Sequence, residues 1–166
     1  MAEYIKPVID RFLTVGEKSE ILNAWGERIS ALPTDVPGEG DPRGFPDPLM
    51  IEWCRRINAL KGVCTVQSCS GHRASDGAFY SGHLWLRMSR GVSDRFERQA
   101  FNLAGQRGIE RVSKLYMHGG EEVIVLEFQG QEHDRLDSSM GAVLRFLTEI
   151  TTAVDGGAAW LSTSSR

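Results

Sequence analysis

The chain has 166 residues, 41% of them apolar and 25% charged, which suits one domain with its own core and excludes the disordered and fibrous classes. Its formal charge is −3 and its pI about 5.8, so any nucleic-acid partner must meet a local basic patch rather than a basic surface. No apolar run approaches the ~18 residues of a membrane span, and no membrane partner is expected.

The start, Met1 to Pro7, lacks the basic-then-apolar order of a signal peptide. Cys54, Cys64 and Cys69 are an odd set without a CxxC, which points to free thiols in a reducing, cytoplasmic setting. Residues 1–32 read as a helical arm, because Ile21, Leu22, Trp25, Ile29 and Leu32 recur at helical spacing. Residues 33–46 carry Pro33, Pro37, Pro42 and Pro46 with Gly38, Gly40 and Gly44, the composition of a connector.

The core is expected over 47–160, with a frayed tail at 161–166. Asp47 and Pro48 open a helix whose predicted inner face is Leu49, Trp53, Ile57 and Leu60, with Gly62 after its end. Residues 63–68 read as a short strand and 69–82 as a loop. From His83 to Met88 the pattern alternates, with Leu84, Leu86 and Met88 on one side and His83, Trp85 and Arg87 on the other. Ser93 is expected to cap a third helix with Phe96, Ala100 and Leu103 inward, stopped by Gly108. Residues 109–117 and 122–128 read as a hairpin turning at His118-Gly119-Gly120, and the apolar run Val123 to Leu126 places the second strand centrally. Met140, Val143, Leu144, Leu147, Ile150 and Val154 define the last helix, expected to end at Gly156-Gly157.

Residues 63–107 and 109–156 thus share the order strand, loop, strand, helix. The expected fold is α+β, a four-stranded mostly antiparallel sheet with helices packed on one face and the N-terminal arm added to it.

One segment looks built for function. Ser68-Cys69-Ser70-Gly71-His72-Arg73 lies where a strand hands over to a long loop, and such ends present mobile segments from a rigid scaffold. Gly71 permits a turn closed to other residues. Cys69 has the chemistry of a nucleophile, His72 that of an acid or base near neutral pH, and Arg73 that of a clamp for phosphate or carboxylate. Ser68 and Ser70 offer hydrogen bonds. The alternative reading is a small-residue turn that only closes a buried strand.

The run Ile57-Asn58-Ala59-Leu60-Lys61-Gly62-Val63-Cys64-Thr65-Val66-Gln67-Ser68-Cys69-Ser70-Gly71-His72 resembles the signature of the tRNA wybutosine-synthesising protein 3 family. Those proteins carry a helix, a short strand and a Ser-Cys-Ser-Gly-Arg turn, and His72 stands where they have Arg, with Arg73 next. The resemblance implies an α+β protein that uses S-adenosylmethionine to methylate a modified guanosine in tRNA. It implies a nucleoside or RNA as partner and places His72 and Cys69 at the chemistry. Ser68, Ser70, Gly71 and Arg73 would then bind the ligand.

Trp85 and Arg87 join that ligand set from the outward side of their strand, a stacking plane beside a cation, with Thr65, Gln67, His83, Lys114 and Tyr116 as neighbours on an open sheet face. With Arg90 they would favour a small anionic ligand. The alternative is that the aromatics pack beneath the arm. Cys69, His72, His83 and His118 contain one pair at metal-ligand spacing and no second, so no metal is expected. The sequence has no P-loop, GxGxxG or GxSxG, so a cofactor would bind outside a Rossmann site. Two other functions fit the same residues: a binding module without catalysis, and a metal-dependent hydrolase.

Overall fold

The computed structural model describes residues 10–30, 47–73, 75–129 and 133–160, without the side chains of Arg73, Phe79, His133, Asp134 and 154–160. The connector 33–46, the frayed tail and the ends of the arm lie outside the described residues.

Helix α1 (Val15–Ser30) is followed by a single 3-10 turn (Pro48–Met50) and α2 (Ile51–Asn58). Then come β1 (Val63–Cys69), a ribbon of β2 (His72–Arg73) and β3 (Phe79–Tyr80), β4 (Gly82–Met88) and α3 (Arg90–Ala104). The chain closes with β5 (Ile109–Tyr116), β6 (Glu122–Phe128) and α4 (His133–Trp160). The main sheet has the order β1-β4-β6-β5 and every neighbouring pair is antiparallel. The fold is α+β, and β6 is central, as its doubly apolar sequence requires.

Leu84, Leu86 and Met88 from β4 and Ile124, Leu126 and Phe128 from β6 face α2, α3 and α4. Ile57, Phe96, Leu103, Met140, Val143 and Leu147 close that core from the helical side. Phe96 meets Phe146 edge to face at 5.5 Å between ring centres, which locks α3 onto α4.

The sheet order is palindromic. β1, β4 and α3 form one ββα unit, β5, β6 and α4 the other, and β4 lies against β6. The two units also begin alike. Gly62 precedes β1 at φ 72° and Gly108 precedes β5 at φ 92°, a backbone region that disfavours side chains. The Gly62 carbonyl accepts the Ser89 N–H, just past β4, and the Gly108 carbonyl accepts the Gln129 N–H, just past β6, each at 2.8 Å. Hence the repeat legible as an order of elements is a near-twofold arrangement.

α1 packs against β1 and reaches β4 through Glu17. Arg87, 3% exposed, sends Nε and Nη2 to the two carboxylate oxygens of Glu17 at 2.9 and 2.8 Å. Its Nη1 reaches the carbonyls of Arg11 and Glu122, and Nη2 that of Asp10. The β4–β6 ladder stops at Leu86↔Ile124. Beyond it, the Arg11 carbonyl accepts the Glu122 N–H and the Leu13 N–H reaches the Met88 carbonyl. Residues 11–13 thus take hydrogen bonds that strand pairing would otherwise have used.

Several boundaries differ from the sequence reading. β1 runs to Cys69, because Cys69 still pairs with His83. The loop 69–82 contains the β2–β3 ribbon, in which His72 pairs with Tyr80. Helix α3 begins at Arg90 with Ser89 at its cap, and Ser93 is a buried helical residue bonded to Glu122. Its end is capped by Gly105, while Gly108 turns the chain into β5. α4 continues through Gly156-Gly157. On the second helix Ile57 is buried and Trp53 and Leu60 pack against the core as expected, joined by Met50 and Cys54, whereas Leu49 is exposed because the 3-10 turn rotates the start of the stripe.

Candidate functional site

The Ser68–Arg73 turn is built by three constraints. Ser68 and Cys69 are the last residues of β1, opposite Leu84 and His83. Asp47, at the head of the second helix, accepts the Ser70 N–H at 2.7 Å and the Leu49 N–H at 3.0 Å, so one carboxylate clips the turn to the helix. Gly71 then turns at φ 91°, where a Cβ would stand 2.8 Å from both the Gly82 nitrogen and the Tyr80 oxygen. The turn therefore requires glycine for φ, as the sequence reading held, and for space as well.

These constraints set Cys69 Sγ 3.8 Å from His72 Nδ1, while the Gly71 N–H donates to the same sulfur at 3.4 Å. The His72 ring stacks on Tyr80 at 5.0 Å. Next to them on β4, His83 lies 3.4 Å from Gln67 Nε2 and tilts against Trp85 at 6.5 Å. Glu127 of β6 pairs with His83 across the strands and carries an ion pair to Arg111. Burial, aided by repulsion from His72, pushes the His83 pKa down against the pull of Glu127 and Asp47, which favours a neutral ring at neutral pH.

A thiol beside an imidazole and a backbone N–H has what it needs to transfer a proton and carry negative charge. The other thiols differ. Burial raises the Cys54 pKa while its Sγ sits 3.5 Å from Ser68 Oγ, and burial pushes Cys64 up to about 11. No disulfide joins any two of Cys54, Cys64 and Cys69.

The structure brings Cys69, Ser70, Gly71, His72 and Trp85 to one end of the sheet, yet not every expected partner joins them. Ser70 is fully buried, so what it offers a ligand from the surface is limited to the backbone it fixes. Ser68 turns toward α2 and Cys54. Arg73 continues β2, and its side chain lies outside the described atoms. Arg87 is at the opposite end of β4, committed to Glu17 and the arm's carbonyls. Arg90 is at that same far end, over the ring of Phe12. Thr65 also leaves the face: a bulge between Thr65 and Gln67 turns Thr65 to Asn58 of α2, at 3.0 Å. Lys114 reaches Glu97 of α3, and Tyr116 meets Arg11, so neither joins Trp85.

Sequence reasoning missed Asp47 and Glu127 as members of the site. Asp47 was legible only as a helix cap, and Glu127 becomes a neighbour only through the β4–β6 register. Among the described residues no group of three or more His, Cys, Asp and Glu is placed to hold a metal ion, and no helix is long and apolar enough to cross a membrane.

Compared with known protein families, with curated proteins and with solved structures, the chain gives no match.

Proposed function

We propose that the chain binds a nucleoside or RNA at the Cys69–His72 turn and the adjoining His83–Trp85 surface of β4, and that it methylates the bound base. The observation that carries the binding half is the cluster itself: stacked His72 and Tyr80, the thiol at 3.8 Å, and the His83–Trp85 pair beside them. Rings at a sheet surface suit unstacked bases, and the imidazoles add hydrogen bonds to base edges. Methyl transfer rests on the resemblance of the Ser-Cys-Ser-Gly turn to the wybutosine-synthesising protein 3 family.

S-adenosylmethionine would supply the methyl group. The residues present fit its parts: Trp85 offers a plane for adenine, and Glu127 a carboxylate for a ribose diol or an ammonium. His72 would take up the proton that the accepting base gives up, and Cys69 would orient that ring through Nδ1. The free thiols support a reducing, cytoplasmic setting.

The test is to incubate the protein with labelled S-adenosylmethionine and short RNAs or nucleosides, following methyl incorporation together with binding. Label on the base, lost in His72→Ala, supports the reading. Binding that quenches Trp85 without label selects a binding module instead. Neither binding nor label sinks the proposal.

A further inference from the structure

The main sheet has two outer strands, and only one of them is closed. On β1 the Thr65 N–H donates to Asn58 Oδ1 at 2.7 Å, and just past the strand the Ser70 N–H donates to Asp47, so the second helix and its cap occupy that edge. β5 pairs with β6 alone. Among the described residues, no backbone hydrogen bond beyond that ladder involves Arg111 to Leu115. An outer strand in that state is a template for a further strand.

Charges on an edge strand guard it against such pairing, but here they are spent within the chain. Lys114 meets Glu97 and Glu122, and Arg111 meets Glu127. Apolar surface flanks the same edge. Leu115 and Tyr116 are exposed, and Phe101 of α3 is 73% exposed. α3 lies over β5, and β5 runs back along it. Glu97 and Phe101, four residues apart, share one side of α3. Lys114 reaches Glu97, which fixes the level of the helix on the strand. From Glu97 to Phe101 the helix rises ~6 Å, the length of about two strand residues, so Phe101 stands level with Val112.

The geometry points to a second copy of this chain docked antiparallel on the β5 edge, about a twofold axis at Val112. In a twofold contact each patch must complement itself. An axis at Val112 sets Glu110 opposite Lys114 of the second copy and Arg111 opposite Ser113, each twice. It also brings Phe101 onto Phe101 of the second copy, while Glu97 faces the small Gly105 and meets no second carboxylate. An axis between Val112 and Ser113 would instead set Arg111 against Lys114, and like charges directly opposed are unfavourable. The charge pattern of the strand and the height of Phe101 are separate observations, and both select Val112. The bulge between Ile109 and Arg111 ends the new ladder beside Glu110. The contact joins two four-stranded sheets into one and leaves β1, with the Cys69–His72 turn, at its outer edges.

The test is sedimentation velocity of the full chain over a concentration series, which should reveal a species of twice the 18.4 kDa chain mass. Phe101→Glu, on an exposed helical surface, should raise the dimer dissociation constant at least tenfold with an unchanged circular dichroism spectrum. Glu110→Lys should raise it too, and by less in high salt, because it sets like charges together. Val112→Cys should crosslink to its own copy on oxidation, since directly opposed strand residues have the Cα spacing a disulfide needs. A chain that stays monomeric up to millimolar concentration overturns the proposal. A dimer indifferent to both Phe101→Glu and Glu110→Lys overturns it by placing the contact elsewhere. Crosslinking of Val112→Cys only to a native cysteine overturns the register, and a monomer whose β5 edge takes up only a different protein's strand overturns the second copy as occupant.

Discussion

Replacing Arg87 with Met asks whether that arginine serves a ligand or the arm. Its guanidinium is 3% exposed and makes two bonds to Glu17 and three to carbonyls of Asp10, Arg11 and Glu122. Removing one member of a buried ion pair typically costs ~3–5 kcal/mol, chiefly because the other charge is stranded. The charge left behind here, Glu17, is 26% exposed and regains water, so the lower end, about 3 kcal/mol, is expected for Arg87→Met. Glu17→Gln strands the more deeply buried charge and should cost more. The double variant should lose less than the sum of the two, because its partners share one network. Urea unfolding measures all three, with an unchanged slope showing that the midpoint reports stability. Nucleoside binding at the Cys69–His72 turn should be unaltered in Arg87→Met. A loss within about 0.5 kcal/mol, as for ordinary surface changes, would refute the arm-docking role. So would strictly additive single variants.

Gly71→Ala should destabilise by about 2–3 kcal/mol, from positive φ and from contact with backbone that cannot yield, as read from thermal or urea unfolding. In native alkylation Cys69 should react first, since Cys64 at about 11 leaves roughly one thiol in a thousand ionised at pH 8; an inert Cys69 would remove the thiol from the site. Burial works to raise the Glu122 pKa, but hydrogen bonds from Ser93 and Arg11 and the charges of Lys114 and Arg11 outweigh it and hold it below its ordinary 4.5. Because the folded value is the lower one, that stabilisation is complete above about pH 4.5 and is lost as pH falls through the folded pKa. Glu122→Gln should therefore flatten the acid limb of stability against pH, and an unaltered limb would show that other groups set it. Asp47→Ala should free the Ser70 N–H and slow native alkylation of Cys69 or scatter its rate, while Asp47→Asn keeps an acceptor and much of the order.

Much of the fold follows from local pattern. The alternation from His83 to Met88 places Leu84, Leu86 and Met88 on the core side of β4, and the doubly apolar Val123 to Leu126 makes β6 central. Gly62 and Gly108 each mark the start of a ββα unit, though sequence alone suggests only a helix stop for both. What stayed hidden depends on tertiary register. A two-residue ribbon such as β2–β3 has too few positions to show alternation, and Ser93, read as the cap, lies inside the helix because it bonds Glu122 of the neighbouring strand.

The same limit explains the site. His83, Trp85 and Arg87 share a parity on β4, so alternation alone makes them one outward set. Parity fixes the face of a strand and leaves open what covers it. α1 and residues 10–13 close over Arg87 at one end and leave His83 and Trp85 half-buried at the other, which splits the set into a docking residue and two surface residues. Phe101 and Val112 show the reverse case. Lying on different elements, they carry no joint local signal, and only the packing of α3 on β5 brings them level. The Ser68–Arg73 turn stood out because its chemistry is adjacent in sequence, whereas the groups that fix its bend, Asp47, Tyr80 and Gly82, reach it only by packing. A site assembled by adjacency is readable from a single chain, and one assembled by packing is not.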